Sequence, residues 1–168
     1  MPVIRLLSAD SRDDLERYVT LRREMLLDSP EAFGSSPESD RISSPDALRA
    51  LLSPTNVIFV AAQTDCFLGS VGLVRESQPK TAHHALIWGV YVSPSHRGAR
   101  LGRDLIIAAV NLARTWPDLA HLNLMVGAHN LPARRTYESL GFQTWATERD
   151  ALRVAGRSID EVHMRLTL

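Results

Sequence analysis

One cysteine, one lysine, no surplus of charge of either sign and no long hydrophobic run: each shortage in this chain removes a class of protein. Cys66 stands alone, which rules out an internal disulfide and a cysteine-built zinc site and fits a reducing compartment. The longest apolar stretches, such as Val57 to Ala62, fall far below the roughly 20 residues that span a bilayer. Met1 to Leu7 is too short an apolar start for an export signal before Asp10, Arg12, Asp13 and Asp14 intervene. The expectation is a soluble, cytoplasmic protein that engages no membrane. Lys+Arg and Asp+Glu balance at 19 each, so no global field draws the chain to nucleic acid, and any anion site must be local. With Lys80 the only lysine, such a site would be built from arginine. There are no repeats, low-complexity tracts or linkers, and 168 residues with 45% hydrophobic content suit one α/β domain over 1–168.

Periodicity orders the elements. Val3 to Leu7 reads as a strand, and Ser11, three residues before Asp14, caps a helix carrying Leu15, Tyr18, Arg22 and Met25. Asp28-Ser29-Pro30 stops it. A long Ser/Pro-rich loop from Pro30 to Pro45 precedes a short helix at Asp46 to Leu52, and loops of this length are often functional. Val57 to Gln63 and Cys66 to Arg75 form a hairpin about Thr64-Asp65. His83 to Val92, apolar in both alternating sets, reads as a central strand buried on both faces. Helices are expected over Arg100 to Trp116 and Leu131 to Leu140, and strands over Leu122 to Val126, Phe142 to Thr147 and Ile159 to Leu168. Trp88 and Trp145 read as core aromatics.

Two segments carry chemistry. The first joins the buried strand to a helix through Arg97-Gly98-Ala99-Arg100-Leu101-Gly102-Arg103. Glycines 98 and 102 let backbone approach a ligand, the unpaired N–H groups of a helix start favour negative charge, and three arginines add to it, so phosphate is the expected guest. There is no Gly-Lys-Ser/Thr and no G-x-G-x-x-G, which removes the usual ATP and dinucleotide loops. The second segment runs from Asn130 through Pro132, Ala133, Arg134 and Tyr137 to Gly141-Phe142, with Asn130 able to cap the helix and Ala133 and Tyr137 on one stripe.

Together these segments resemble the GCN5-related N-acetyltransferase (GNAT) superfamily, which pairs an R-G-x-G-x-G/A loop with N-x-x-A-x-x-x-Y-x-x-x-G-F. The resemblance implies an α+β fold: a mixed, mostly antiparallel sheet of six to seven strands, splayed at its middle and flanked by about four helices. It implies acetyl-CoA as co-substrate, with no metal. Val90, Tyr91 and Val92 would meet the pantetheine arm, residues 97–103 the pyrophosphate, Asn130 the arm, and Ala133 and Arg134 the adenosine end. Tyr137 would be the general acid, its unperturbed pKa of about 10 lying close to that of a thiol. The N–H of Val92 would face the oxyanion. The acceptor would be a small-molecule amine or a protein N-terminus, attacking directly in a ternary complex, and family habit suggests a homodimer. The alternative is a coenzyme A-binding sensor or interaction module of the same fold.

Two departures from the pattern stand out. Arg100 replaces the second glycine, tolerable if its φ is negative. Leu86 fills the strand position where several relatives carry a glutamate base, leaving His84, Glu38 or ordered water as candidates. No pair of histidines shows metal-ligand spacing with a third ligand, so His83, His96, His121, His129 and His163 read as surface or structural residues.

Overall fold

A computed structural model describes residues 1–168. The chain runs β1 (Val3–Leu6), α1 (Arg12–Asp28), a 3-10 turn (Pro30–Ala32), α2 (Pro45–Leu51), β2 (Asn56–Gln63), β3 (Cys66–Arg75), β4 (His84–Val92), a second 3-10 turn (Pro94–His96), α3 (Leu101–Ala113), β5 (His121–Gly127), α4 (Leu131–Ser139), β6 (Gln143–Val154) and β7 (Arg157–Thr167). The strands form one seven-stranded sheet in the order β1-β2-β3-β4-β5-β7-β6. Every pairing is antiparallel except β4 with β5. One apolar core joins α3 and Tyr137 of α4 to the sheet, with Leu105, Ile106, Ala109, Leu122 and Met164 fully enclosed. A second, built on Leu15, Tyr18, Met25 and Leu48, packs α1 and α2 with Ile58 and Val60 of β2.

The parallel seam is the feature that makes a site. Strands β4 and β5 pair over three residues only, His84–Leu86 with His121–Asn123, and then diverge. Gly89 sits inside β4 at φ +58°, and the β3–β4 register slips between Ser70–Tyr91 and Gly72–Trp88. An extra residue in one strand bends it and sharpens its twist, and the left-handed conformation falls to glycine because it has no Cβ to clash. The upper half of β4 is thereby turned out of line with β5. Burial follows: Ala85, Ile87 and Tyr91 are enclosed, whereas Leu86, Trp88, Val90 and Val92 are only half-buried. The expectation of a strand buried on both faces is corrected by this opening.

Charged pins hold the N-terminal half over the sheet. Ser11 caps α1 on the N–H of Asp14 at 3.2 Å, and Arg5 clasps the Asp14 carboxylate with two bonds of 2.6 and 2.8 Å. Arg22 of α1 grips Asp40 of the long loop through Nε and Nη2 at 3.0 and 2.9 Å, and both side chains are less than a tenth exposed. The loop between α1 and α2 is thus anchored and does not run free. Strand β6 extends seven residues beyond the expected Thr147, and β7 starts at Arg157 after an Ala155-Gly156 turn with φ of +49° and +77°. Trp145, expected in the core, lies on this edge strand 57% exposed, with Arg165 5.1 Å from its ring centre.

Candidate functional site

The divergence of β4 from β5 opens a groove of about 610 Å³ that runs from the 97–103 turn along Val90, Tyr91 and Val92 to Tyr137. At its inner end it shares Ala32, Phe33, Val90, Asn130 and Tyr137 with a smaller cavity of about 80 Å³ between the two strands.

At the outer end the backbone is arranged for an anion. The N–H groups of residues 98–103 donate to no carbonyl or side chain, so six consecutive donors stand free around the start of α3. Arg100 occupies the helix N-cap at φ +62°, ψ +5°, with no side-chain capping bond. The left-handed value overturns the expectation of a negative φ at Arg100. It also explains the glycine of the pattern: an L-residue held there costs about 1–2 kcal/mol. Gly98 is left-handed as well, at φ +83°, with open space where a Cβ would stand, and a Cβ on Gly102 would meet only Val92. Arg100 and Arg103 line the groove and form no salt bridge, so their guanidinium groups are available to phosphate. These residues fit the pyrophosphate of a coenzyme A.

Arg97 has a different task. Its Nε donates to the Val92 carbonyl at 2.9 Å, its Nη2 pairs with Asp28 at 2.5 Å, and its guanidinium lies 5.6 Å from the Tyr91 ring centre. The Asp28 carboxyl is held below the usual range by the Ser29 hydroxyl and by Arg97. Arg97 therefore braces the end of β4 against α1, and the Val92 carbonyl that sequence offered to a ligand already has a partner. Ser93 N–H bonds back to β3 at Leu68, so by strand alternation the N–H of Val92 points the other way, into the opening.

Asn130 and Tyr137 lie at the junction of the two cavities. The Asn130 side-chain oxygen accepts from Ala133 N–H at 3.2 Å, which caps α4 and leaves its amide NH₂ for a ligand. Tyr137 is 6% exposed, makes no hydrogen bond within the protein, and packs edge-on to Phe142 at 6.0 Å. Burial pushes its hydroxyl well above the ordinary value of 10. It is therefore fully protonated at working pH, and further from a thiol than the unperturbed value implies.

Not every expected residue reaches the opening. Ala99 and Arg134 lie outside both linings, and Arg134 is turned back to the Ala128 carbonyl at 3.1 Å. His84 pairs across the closed end of the seam, beside Asn123 at 3.1 Å and against the rings of His83 and His121. It is six residues from Val90, roughly 20 Å along a strand. Glu38 is exposed in the loop, its carboxyl lowered by the Ser36 hydroxyl, and lines neither cavity. Neither lines the cavity beside Tyr137. Leu86 is the last paired residue of the seam. No three His, Cys, Asp or Glu side chains are arranged to hold a metal ion, and no helix is long and apolar enough to cross a membrane.

The inner cavity holds residues that sequence reading passed over. The turn Pro30–Ala32 brings Glu31 and Ala32 to it, Phe33 follows, and His129 arrives from the end of β5. His129 Nε2 is 3.4 Å from Glu31 Oε2, and Arg157 at the start of β7 pairs with Oε1 of the same carboxylate. The length of the loop was a signal for the first group. For His129 there was only its place beside Asn130.

A model of the acetyltransferase (GNAT) family matches residues 19–142. The chain is 29% identical over 144 residues to a mycothiol acetyltransferase of Brachybacterium faecium, a stretch covering 83% of this chain and 41% of that protein. A second mycothiol acetyltransferase, from Acidothermus cellulolyticus, is 46% identical over 57 residues, 34% of this chain and 17% of its own. The chain thus spans less than half the length of these curated relatives. Among solved structures, a GNAT-family acetyltransferase of Streptococcus pneumoniae superposes with a TM-score of 0.87 over 100% of both chains at 16% identity. A phosphinothricin acetyltransferase of Sinorhizobium meliloti, solved with acetyl-CoA, superposes at 0.81 over 99% of this chain and 88% of its own at 17% identity.

Proposed function

The chain belongs to the GNAT acetyltransferase family, and from that premise we propose that it moves an acetyl group from acetyl-CoA to a primary amine by direct attack. The observation that carries the reading is the continuity of the opening: free N–H donors and two unpaired arginines at one end, and a buried tyrosine at the other, where the groove meets a cavity too small for a long acyl chain. The pyrophosphate would lie on residues 98–103, and the pantetheine arm against Val90–Val92 and Asn130. The thioester would then sit beside Tyr137.

The residues divide the work as follows. The N–H of Val92, pointing into the opening, supports the oxyanion as the amine nitrogen adds to the carbonyl. Tyr137 gives its proton to the sulfur as the C–S bond breaks. Its raised pKa keeps it charged with that proton until the thiolate develops. Cys66 is exposed in the β2–β3 hairpin and lines neither cavity, which supports transfer without an acyl-cysteine.

Calorimetry with acetyl-CoA, followed by a thiol-release assay against a broad amine panel, tests both halves. Expected are a heat of binding and turnover of at least one amine. A protein that binds acetyl-CoA and acetylates nothing is a coenzyme A-binding module, and one that gives no heat loses both readings. Tyr137→Phe should lower turnover about a hundredfold at unchanged acetyl-CoA affinity, and wild-type turnover in that variant would remove Tyr137 as the acid.

A further inference from the structure

Building on the acetyl-transfer reading, we infer that His129, oriented by Glu31, takes the proton from the acceptor amine. An amine with an ordinary pKa reaches the enzyme as an ammonium ion, which has no lone pair to attack with, so a proton acceptor is needed where it meets the thioester. The inner cavity contains three titratable side chains, Glu31, His129 and Tyr137. Tyr137 keeps its proton. Oε1 of Glu31 is paired with Arg157, and Oε2 faces His129 Nε2, whereas Nδ1 of His129 has no hydrogen-bond partner. The imidazole is the group left with a free acceptor atom.

Its orientation follows from its neighbours. Nε2 faces the Glu31 carboxylate at 3.4 Å, longer than a formed hydrogen bond but of the looseness that catalytic pairs show before substrate binds. With Nε2–H directed at Glu31, Nδ1 carries the lone pair. The ring lies over Gly127 of the cavity lining: a Cβ there would come within 2.8 Å of Cε1 and 3.1 Å of Nδ1. The missing side chain gives the imidazole its place, with Cε1 and Nδ1 the ring atoms nearest Gly127, which itself lines the cavity. Around this pair the charged groups are Arg157 on the shared carboxylate, Arg134 on the carbonyl of Ala128, and Glu161 opposite Gly127 in the β5–β7 register.

The proton count closes. The ammonium nitrogen loses one proton to Nδ1 of His129, from which it passes to solvent. The freed lone pair forms the N–C bond, and the C–S electrons leave on sulfur, which takes the Tyr137 proton. The second proton shed by nitrogen as the amide forms restores Tyr137. The products are the amide, the free thiol and one proton.

The test compares wild type with His129→Gln, Glu31→Gln and Gly127→Ala, using probe amines from benzylamine, a cation at neutral pH, to methoxyamine, which is already neutral there. With benzylamine, His129→Gln should lose about a hundredfold in rate at neutral pH and recover toward alkaline pH, where benzylamine loses its own proton. With methoxyamine it should be close to wild type, and acetyl-CoA affinity by calorimetry should not change. Glu31→Gln, which unties the ring, should lower the benzylamine rate by less than His129→Gln does and leave methoxyamine transfer near wild type. Gly127→Ala, which displaces the ring without removing it, should fall between. A His129→Gln enzyme with the wild-type rate and acid limb overturns the inference, as does an equal loss with both amines, which marks a structural role. Wild type that binds acetyl-CoA yet turns over no probe amine removes the transfer reading itself, and this inference with it.

Discussion

The two ends of the β4–β5 seam are built from the same pair of strands and behave as opposites. At the closed end His84 and His121 sit side by side in register, Leu86 faces Asn123, and the backbone is satisfied by ordinary parallel pairing. A few residues on, Gly89 takes a left-handed conformation and the strands part, so the open end is roofed instead by the Pro30–Phe33 segment and lined by Val90, Asn130, His129 and Tyr137. The site therefore depends less on a special set of side chains than on one interruption in pairing. Local backbone geometry makes room, and residues from four separate elements fill its walls.

That contrast can be broken from either side. The largest effect is expected from removing the pin of the roof. Asp40→Ala leaves the Arg22 guanidinium buried without its partner, and should cost about 3–5 kcal/mol in chemical denaturation together with a loss of acceptor turnover. Gly89→Val forces a β-branched residue to φ +58° or flattens the bulge. Either way stability should drop by roughly 1–3 kcal/mol, and acetyl-CoA affinity should fall with it, whereas an unchanged affinity would show that the bulge does not set the opening. Arg100→Gly separates strain from charge: stability should rise by about 1 kcal/mol while acetyl-CoA affinity weakens a few-fold through the lost guanidinium.

The smallest effect belongs to the closed end. Burial first, then the neighbouring charges of His83, Arg165 and His121, hold the His84 imidazole below its ordinary 6.5. The unfolded chain therefore binds that proton first. The stability His84 allows is fully present above about 6.5 and is lost as pH falls through the lowered folded value. His84→Gln should flatten this acid decline in thermal melts without altering turnover, and a His84→Gln enzyme with impaired turnover would join the two ends functionally.

Much of this was legible in the sequence, for reasons that can be assigned. Strand β3 falls on Cys66–Arg75 as expected because its apolar β-branched run is bounded by a turn on one side and a polar break on the other. The phosphate turn and the α4 cap were visible because Gly98, Gly102 and Asn130 are residue types the backbone demands at those points. Strand β6 is hidden past Thr147 because Glu148 to Asp150 is polar and exposed, and the half-buried Ala151 and Leu152 that follow are too few, at an edge, to set an apolar pattern. Trp145 departs from the core for the same reason, since it finds its partner in Arg165 on the edge strand pair. In the sequence Gly89 passes for one more apolar position, although an isolated glycine within a strand is the usual mark of a bulge. The pairing of His129 with Glu31 lies beyond the sequence. They lie almost a hundred residues apart, and only the fold brings them within 3.4 Å.

The splay has one more consequence. Where β4 leaves β5, the free N–H of Val92 belongs to what is in effect an edge strand in the middle of a sheet, a place where proteins normally have none. Unpaired edges invite any extended chain to add itself. A pantetheine arm lying there would act as the missing strand, so the liganded protein should resist aggregation better than the empty one, and by mass action a co-substrate at a hundred times its dissociation constant would add about 2.7 kcal/mol to stability. In a cell the coenzyme would then be part of what keeps this fold intact as well as what it consumes.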